Sequence, residues 1–285
     1  MTGGDLRELL RGGEPVLMPG VWDPLSARLA IAAGFDVVFL SGFAVSGTLL
    51  GLPDTGYLTQ AEMAGAARRV CATVPGAMVV VDADTGYGNP LNVARTVELW
   101  ESAGASGLFL EDQVWPKRCG HMAGKQVVSR QEWLTKLLSA MDVRQHLFVT
   151  ARTDARAVLG LDEAVERARM AADLGVDAVF VEAPESEEEL AAIASAVPDV
   201  TLVANMIETG RTPLLTPEEL SELGFDLIVS PLSGLFAMVR SLGEAYGRLR
   251  LAGTMRGHLD QLVSFAEFND LVDLDRHLAL DPDRP

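Results

Sequence analysis

Short apolar runs alternate along this chain with longer stretches whose apolar residues return every three or four positions. The runs at residues 16–19, 36–41, 78–82, 107–111, 147–151, 178–182, 201–204 and 227–230 are too apolar to alternate, which predicts parallel strands buried on both faces. Between them, helical spacing predicts helices over 24–33, 60–73, 91–103, 130–141, 161–174, 186–196, 217–223 and 234–251. Gly34, Gly104, Gly175 and Gly224 stand where glycine closes a helix, and Asp162 and Thr216 stand where one opens. Eight strand–helix units predict an α/β fold, a (β/α)8 barrel over residues 1–256. Residues 257–285 lie beyond that plan. Leu262, Phe265, Phe268, Leu271 and Leu274 recur there at roughly helical spacing, so a helical extension is expected, packed on its own barrel or on another subunit.

Composition narrows the partners. A net charge of −17 disfavours nucleic acid and anionic membrane surfaces. Residues 37–53 carry no charge, but glycines and serines interrupt them and the stretch is short for a bilayer span. Residues 1–14 lack the apolar core of a secretory leader, and the only cysteines, Cys71 and Cys119, show no paired spacing. A cytoplasmic protein without a zinc centre is therefore expected.

The candidate chemistry sits where strands end, since barrels of this type collect catalytic groups at the C-terminal ends of their strands. That rule selects Ser41, Asp82, Asp84, Glu111, Arg152, Glu182 and Asn205, each following an apolar run. Asp82, Asp84 and Glu111 are hard oxygen ligands of the kind Mg²⁺ takes, or turn-forming and capping residues. Arg152 has the fork that clamps a substrate carboxylate, and Asp154 and Glu182 are its alternative ion-pair partners. In Lys117-Arg118-Cys119-Gly120-His121 a thiol lies among basic side chains able to lower its pKa. Cys71, in an Ala-rich helix, reads as packing. With Lys125 added, mutual repulsion predicts that this basic loop is open or poorly ordered without an anionic ligand.

These residues carry a family likeness. Leu40-Ser41-Gly42, Gly51-Leu52-Pro53-Asp54, Asp82 to Gly88, Leu110-Glu111-Asp112-Gln113, Lys117 to His121, Ala151 to Ala155 and Pro231-Leu232-Ser233-Gly234 resemble the isocitrate lyase/phosphoenolpyruvate mutase superfamily. The short length is similar to its methylisocitrate lyase, dimethylmalate lyase and carboxyphosphonoenolpyruvate mutase-like members. The resemblance implies Mg²⁺, or Mn²⁺ in its place, held by Asp54, Asp82, Asp84 and Glu111 directly or through water. It implies a substrate carboxylate or enolate end at Ser41 and the amides of Gly42 and Phe43, with Lys117, Arg118, Gly120, Arg152, Glu182, Asn205 and Ser233 around the substrate. Cys119, His121, Arg152 and Glu111 are the implied catalytic groups. Phe39 stands where methylisocitrate lyase-like members have tyrosine, Ser230 replaces another tyrosine, and Phe43 replaces a glycine. The implied activity is Mg²⁺-dependent C–C cleavage of a 2-hydroxy- or 2-oxo-dicarboxylate through an α-keto-acid enolate, by a homotetramer that exchanges helices between subunits. The alternatives are mutase-like P–C chemistry, oxaloacetate hydrolysis or decarboxylation, and a barrel that only binds a ligand.

Overall fold

The computed structural model describes residues 3–120, 122 and 124–280. Strands β1 (Val16–Val21), β2 (Val37–Leu40), β3 (Met78–Asp82), β4 (Gly107–Glu111), β5 (Phe148–Thr153), β6 (Ala178–Val181), β7 (Thr201–Asn205) and β8 (Leu227–Ser230) close into one barrel in chain order. All neighbouring pairs are parallel, and β8 returns to β1 through the register Val16 opposite Leu227.

The helices, in chain order, are α1 (Gly3–Leu10), α2 (Pro24–Ala32), α3 (Gly42–Val45), α4 (Gln60–Thr73), α5 (Pro90–Ala103), α6 (Arg130–Val143), α7 (Ala155–Leu159), α8 (Leu161–Asp173), α9 (Glu187–Ala196), α10 (Pro217–Glu222), α11 (Ser233–Ala252), α12 (Phe265–Leu271) and α13 (Leu274–Ala279). Local chemistry sets several of their starts. Thr59 with Glu62 and Thr216 with Glu219 form reciprocal caps on α4 and α10. No helix among the described residues is long and apolar enough to cross a membrane.

Each strand divides its side chains between two cores. Val79, Val81, Leu108, Leu110, Val149 and Val179 face outward into the layer between sheet and helices. Met78, Val80, Phe109, Phe148, Phe180, Val203 and Val229 face inward and fill the barrel. This period of two continues past the apolar residues. Ser41 therefore follows Phe39, Asp82 follows Val80, Glu111 follows Phe109, Glu182 follows Phe180 and Asn205 follows Val203, all on the inner face. The aromatic layer beneath them is continuous, with ring centroids 4.9 Å apart for Phe39–Phe109 and 5.6 Å for Phe109–Phe180.

Three helices depart from the sequence expectation. α1 closes the lower end of the barrel: Leu6 is fully buried in the inner core, and Arg7 pairs with Asp177 at 2.6 Å and donates to the Leu147 carbonyl at 2.9 Å. α3 and the π-helical turn Ser46–Leu50 occupy the uncharged stretch after β2, and α7 follows β5. The tail also differs. It is a 3-10 turn, Leu259–Gln261, followed by α12 and α13, because Ser264 caps a new helix and Asp273 takes a left-handed conformation at φ 62°. Arg28 on α2 donates to the Leu271 carbonyl at 3.1 Å and ties this tail to its own barrel.

If α1 is a structural stopper, Leu6→Ala should cost about 2–5 kcal/mol of stability, the range for emptying a core leucine site. A urea midpoint unchanged from wild type would show that the barrel's lower end is sealed without it.

Candidate active site

At the upper rim the strands bring two charged groups to one cavity or its wall. The first is acidic. Asp82 ends β3, Glu111 ends β4, Asp84 sits two residues beyond β3, and Asp54 comes from the loop after the π-helical turn. All are buried. Asp84 holds φ at 45°, a strained conformation for a non-glycine residue, and its amide donates to Asp82 Oδ1 at 3.1 Å. Lys117 Nζ enters this cluster, 2.7 Å from Asp54 Oδ1 and 2.7 Å from Asp84 Oδ1.

The electrostatics follow from burial. Burial pushes the Asp84 carboxyl up to about 7 against the pull of Lys117, and pushes Glu111 well above the carboxylate range against Arg152. Burial also disfavours the Lys117 ammonium, but Asp84, Asp54, Asp82 and Glu111 outweigh it and hold its pKa well above the ordinary lysine value.

The second group centres on Arg152, whose guanidinium lies 5.3 Å over the Phe180 ring. Its Nη2 is 2.9 Å from Glu182 Oε2, and its Nε is 3.0 Å from Asp154 Oδ2 and 3.5 Å from Glu111 Oε2. Asn205 donates to Glu182 at 3.2 Å. Both sequence-level partners of Arg152 are thus in place. Between the two groups lies a small cavity, with about 40 Å³ open to a water-sized sphere. Ser41, Asp54, Asp82, Lys117, Cys119, Gly120, Arg152, Glu182 and Asn205 line it, with an apolar wall that includes Phe43, Ile207 and Leu232.

The cysteine loop lies against this floor. The Cys119 amide donates to the Asp54 carbonyl at 3.2 Å, and a Cβ added at Gly120 would collide with Glu182 and Arg152. The loop differs from the expectation of mutual repulsion. Lys117 and Lys125 are buried and paired with carboxylates, at 2.7 Å from Asp54 and 2.6 Å from Asp154, so their charges are offset inside the chain.

Other expected residues take different positions. Asp84 and Glu111 lie behind the cavity wall, and the Gly42 amide donates to Asp82 Oδ2 at 3.3 Å. Ser233 is outside the cavity, its hydroxyl 2.5 Å from Ser230 Oγ and hydrogen-bonded to Glu208. Arg118 lines a separate depression with Trp115 and Lys125. His121 lies outside the described residues. Sequence reasoning gave no role to Ile207 and Leu232 in the apolar wall, since both lie in the turns just past β7 and β8, where strand periodicity no longer assigns a face.

The acidic group fits a divalent cation. Its donors are all hard carboxylate oxygens, and Glu111 Oε1 is buried without a hydrogen-bond partner among the described residues. No three of these groups are drawn together closely enough to grip an ion unaided, among the described residues. That suits Mg²⁺, which takes one or two carboxylates and completes its shell with water and substrate.

Comparison with known proteins bears on this geometry. A model of the family described as phosphoenolpyruvate phosphomutase matches residues 6–249. The chain is 49% identical over 271 residues to the chloroplastic carboxyvinyl-carboxyphosphonate phosphorylmutase of Arabidopsis thaliana, covering 93% of this chain and 80% of that one. It is 41% identical over 277 residues to the 2,3-dimethylmalate lyase of Eubacterium barkeri, covering 96% and 95% respectively. The solved structure of phosphonopyruvate hydrolase in complex with oxalate and Mg²⁺ matches with a TM-score of 0.88 at 29% identity, over 99% of each chain.

The two thiols should differ in reactivity. Cys119 is half-buried at the cavity, whereas burial pushes the Cys71 thiol up to about 11. Iodoacetamide at pH 8 should label Cys119 and spare Cys71; equal labelling, read by peptide mass spectrometry, would contradict this placement.

Proposed function

This chain belongs to the phosphoenolpyruvate phosphomutase family, and with it to the isocitrate lyase/phosphoenolpyruvate mutase superfamily, and from that premise we propose that it is a Mg²⁺-dependent lyase cleaving a C–C bond of a 2-hydroxy- or 2-oxo-dicarboxylate. The observation that carries the proposal is a buried carboxylate cluster beside Arg152, with Asp54, Asp82 and Arg152 lining one cavity.

One or two of Asp54, Asp82, Asp84 and Glu111 would hold the cation directly and the others through water. Bound there, Mg²⁺ supplies fixed positive charge that offsets negative charge developing on the substrate's α-oxygen. Arg152, kept in place by Glu182 and Asp154, would bind a substrate carboxylate, with Asn205 and Ser41 donating beside it. The aromatic layer and the wall of Phe43, Ile207 and Leu232 keep water from the reacting carbons and give an alkyl or methylene carbon an apolar surface. In a retro-aldol cleavage the α-hydroxyl would give up its proton to a carboxylate lining the cavity, the C2–C3 bond would break, and the electron pair would pass to the departing carbon. Cys119, at the cavity edge, would protonate that carbon. A second reading, mutase-like P–C chemistry at the same site, is favoured by the 49% identity to the phosphorylmutase.

Assembly belongs to the same proposal. Phe236, Val239, Leu242, Tyr246 and Leu249 form an exposed stripe along α11, and Leu262 and Phe265 in the tail are exposed as well. We place a second copy of the chain on this surface, with the tail from residue 257 to 280, tied to its own barrel through Arg28, reaching onto that copy. Truncation before Gly257 should then give smaller, less stable particles; a monomeric full-length protein by light scattering would refute it.

The function is tested by incubating the protein with Mg²⁺ and a panel of substituted malates, oxaloacetate and phosphonate precursors. Keto-acid release from a malate, abolished by EDTA and by Asp84→Asn, is the expected outcome. Asparagine keeps the left-handed backbone and removes only the charge. Full turnover in EDTA would reject the metal. A phosphonate as the sole substrate would favour the second reading.

The raised pKa of Asp84 gives the pH dependence its sign. Below about 7 the Asp84 carboxyl, like that of Glu111, holds a proton that a cation must displace, so metal affinity should fall by at least about tenfold per unit as pH drops further. Affinity unchanged between pH 5 and 8 in calorimetry would exclude Asp84 as a ligand.

A further inference from the structure

We propose that Lys125 is a positioning residue of this site: its ammonium joins the Gly120 carbonyl to the Asp154 carboxylate and so holds the Cys119–Gly120 backbone on the Arg152–Glu182 floor. The proposal rests on the lyase reading for its consequence in turnover, but not for its geometry.

Lys125 projects from a fixed stem. Val114 donates to the Gln126 carbonyl at 2.8 Å, Gln113 and Val127 pair antiparallel, and Val128 donates to the Asp112 carbonyl at 2.8 Å. Arg167 on α8 adds a bond to the Val128 carbonyl at 2.9 Å. From that stem Lys125 Nζ lies 2.6 Å from Asp154 Oδ1 and donates to the Gly120 carbonyl. The side chains of both members are almost wholly buried, at 2% and 0% exposure.

Asp154 is held in turn. Its amide donates to Asp112 Oδ1 at 2.8 Å, and its Oδ2 accepts from Arg152 Nε at 3.0 Å. One carboxylate therefore sets both the guanidinium that would bind substrate and, through Lys125, the backbone beside the thiol. An aliphatic side chain of similar length would fill the space without desolvating a charge. It could not tie a loop carbonyl to the end of β5. Gly120 makes the tie consequential, because its α-carbon leaves no room for a Cβ against Arg152 and Glu182. Any lift of this peptide moves Cys119 away from the cavity, and misplacement of a reacting group by about 1 Å can cost 10²-fold in rate.

The test uses the full chain and two readouts. In Lys125→Met, iodoacetamide should label Cys119 at least about fivefold faster than in wild type, because the peptide is no longer held down. The kcat should fall by about 10-fold or more while KM changes by less than about threefold. Lys125→Gln, which keeps a neutral donor, should lie between wild type and Lys125→Met in both. Near-UV circular dichroism checks the fold. A folded Lys125→Met that labels within about twofold of the wild-type rate overturns the proposal. So does raised labelling with unchanged kcat. Should Lys125→Met not fold, Lys125→Gln decides: raised labelling supports the proposal and a wild-type rate overturns it. Labelling needs no substrate, so a wild-type protein inactive on the whole panel would reject the lyase reading while leaving the labelling comparison intact.

Discussion

Carboxylates crowded in a water-poor cavity repel one another, and the rim of this barrel is organised around that repulsion. Asp54, Asp82, Asp84 and Glu111 are all buried at one place. Such a group persists only if cations offset it or protons neutralise it. Both happen here. Lys117 enters the cluster as an internal cation, while burial raises Asp84 and Glu111 toward protonation. A divalent ion at the same place would replace protons rather than add to an already balanced site.

The position of this cluster is a consequence of strand periodicity. Inward positions carry Val80, Phe109, Phe180 and Val203 in one layer and Asp82, Glu111, Glu182 and Asn205 in the next. The apolar layer supplies the burial that raises the pKa values, and the polar layer uses it. Replacing the aromatic floor would alter the electrostatics above it without touching a charged residue.

Much of this was legible in the sequence, because an apolar run that stops at a carboxylate or an arginine marks a barrel strand's upper end. Asp82, Glu111, Arg152 and Asn205 were found in that way, and the structure brings them to one cavity or its wall. The short helices α1, α3 and α7 were not visible. Each is held by long-range contacts, such as Arg7 with Asp177, that local periodicity does not record. The cysteine loop departs from its sequence expectation for the same reason. Lys117 and Lys125 look like neighbours repelling along the chain, but each meets a carboxylate 63 or 29 residues away. Ser233 shows the converse: a motif residue whose hydroxyl turns to Glu208 rather than into the cavity.

The central claim is that the buried carboxylates form a cation site that recruits an oxyanion substrate. Oxalate, a planar dicarboxylate, offers two adjacent oxygens to such a cation and resembles the charge of an α-keto-acid enolate. Calorimetric titration of oxalate in the presence of Mg²⁺ tests the claim most directly. We expect one oxalate per chain, with binding lost in EDTA and in Asp82→Asn. Oxalate bound equally tightly by the metal-free protein would contradict it.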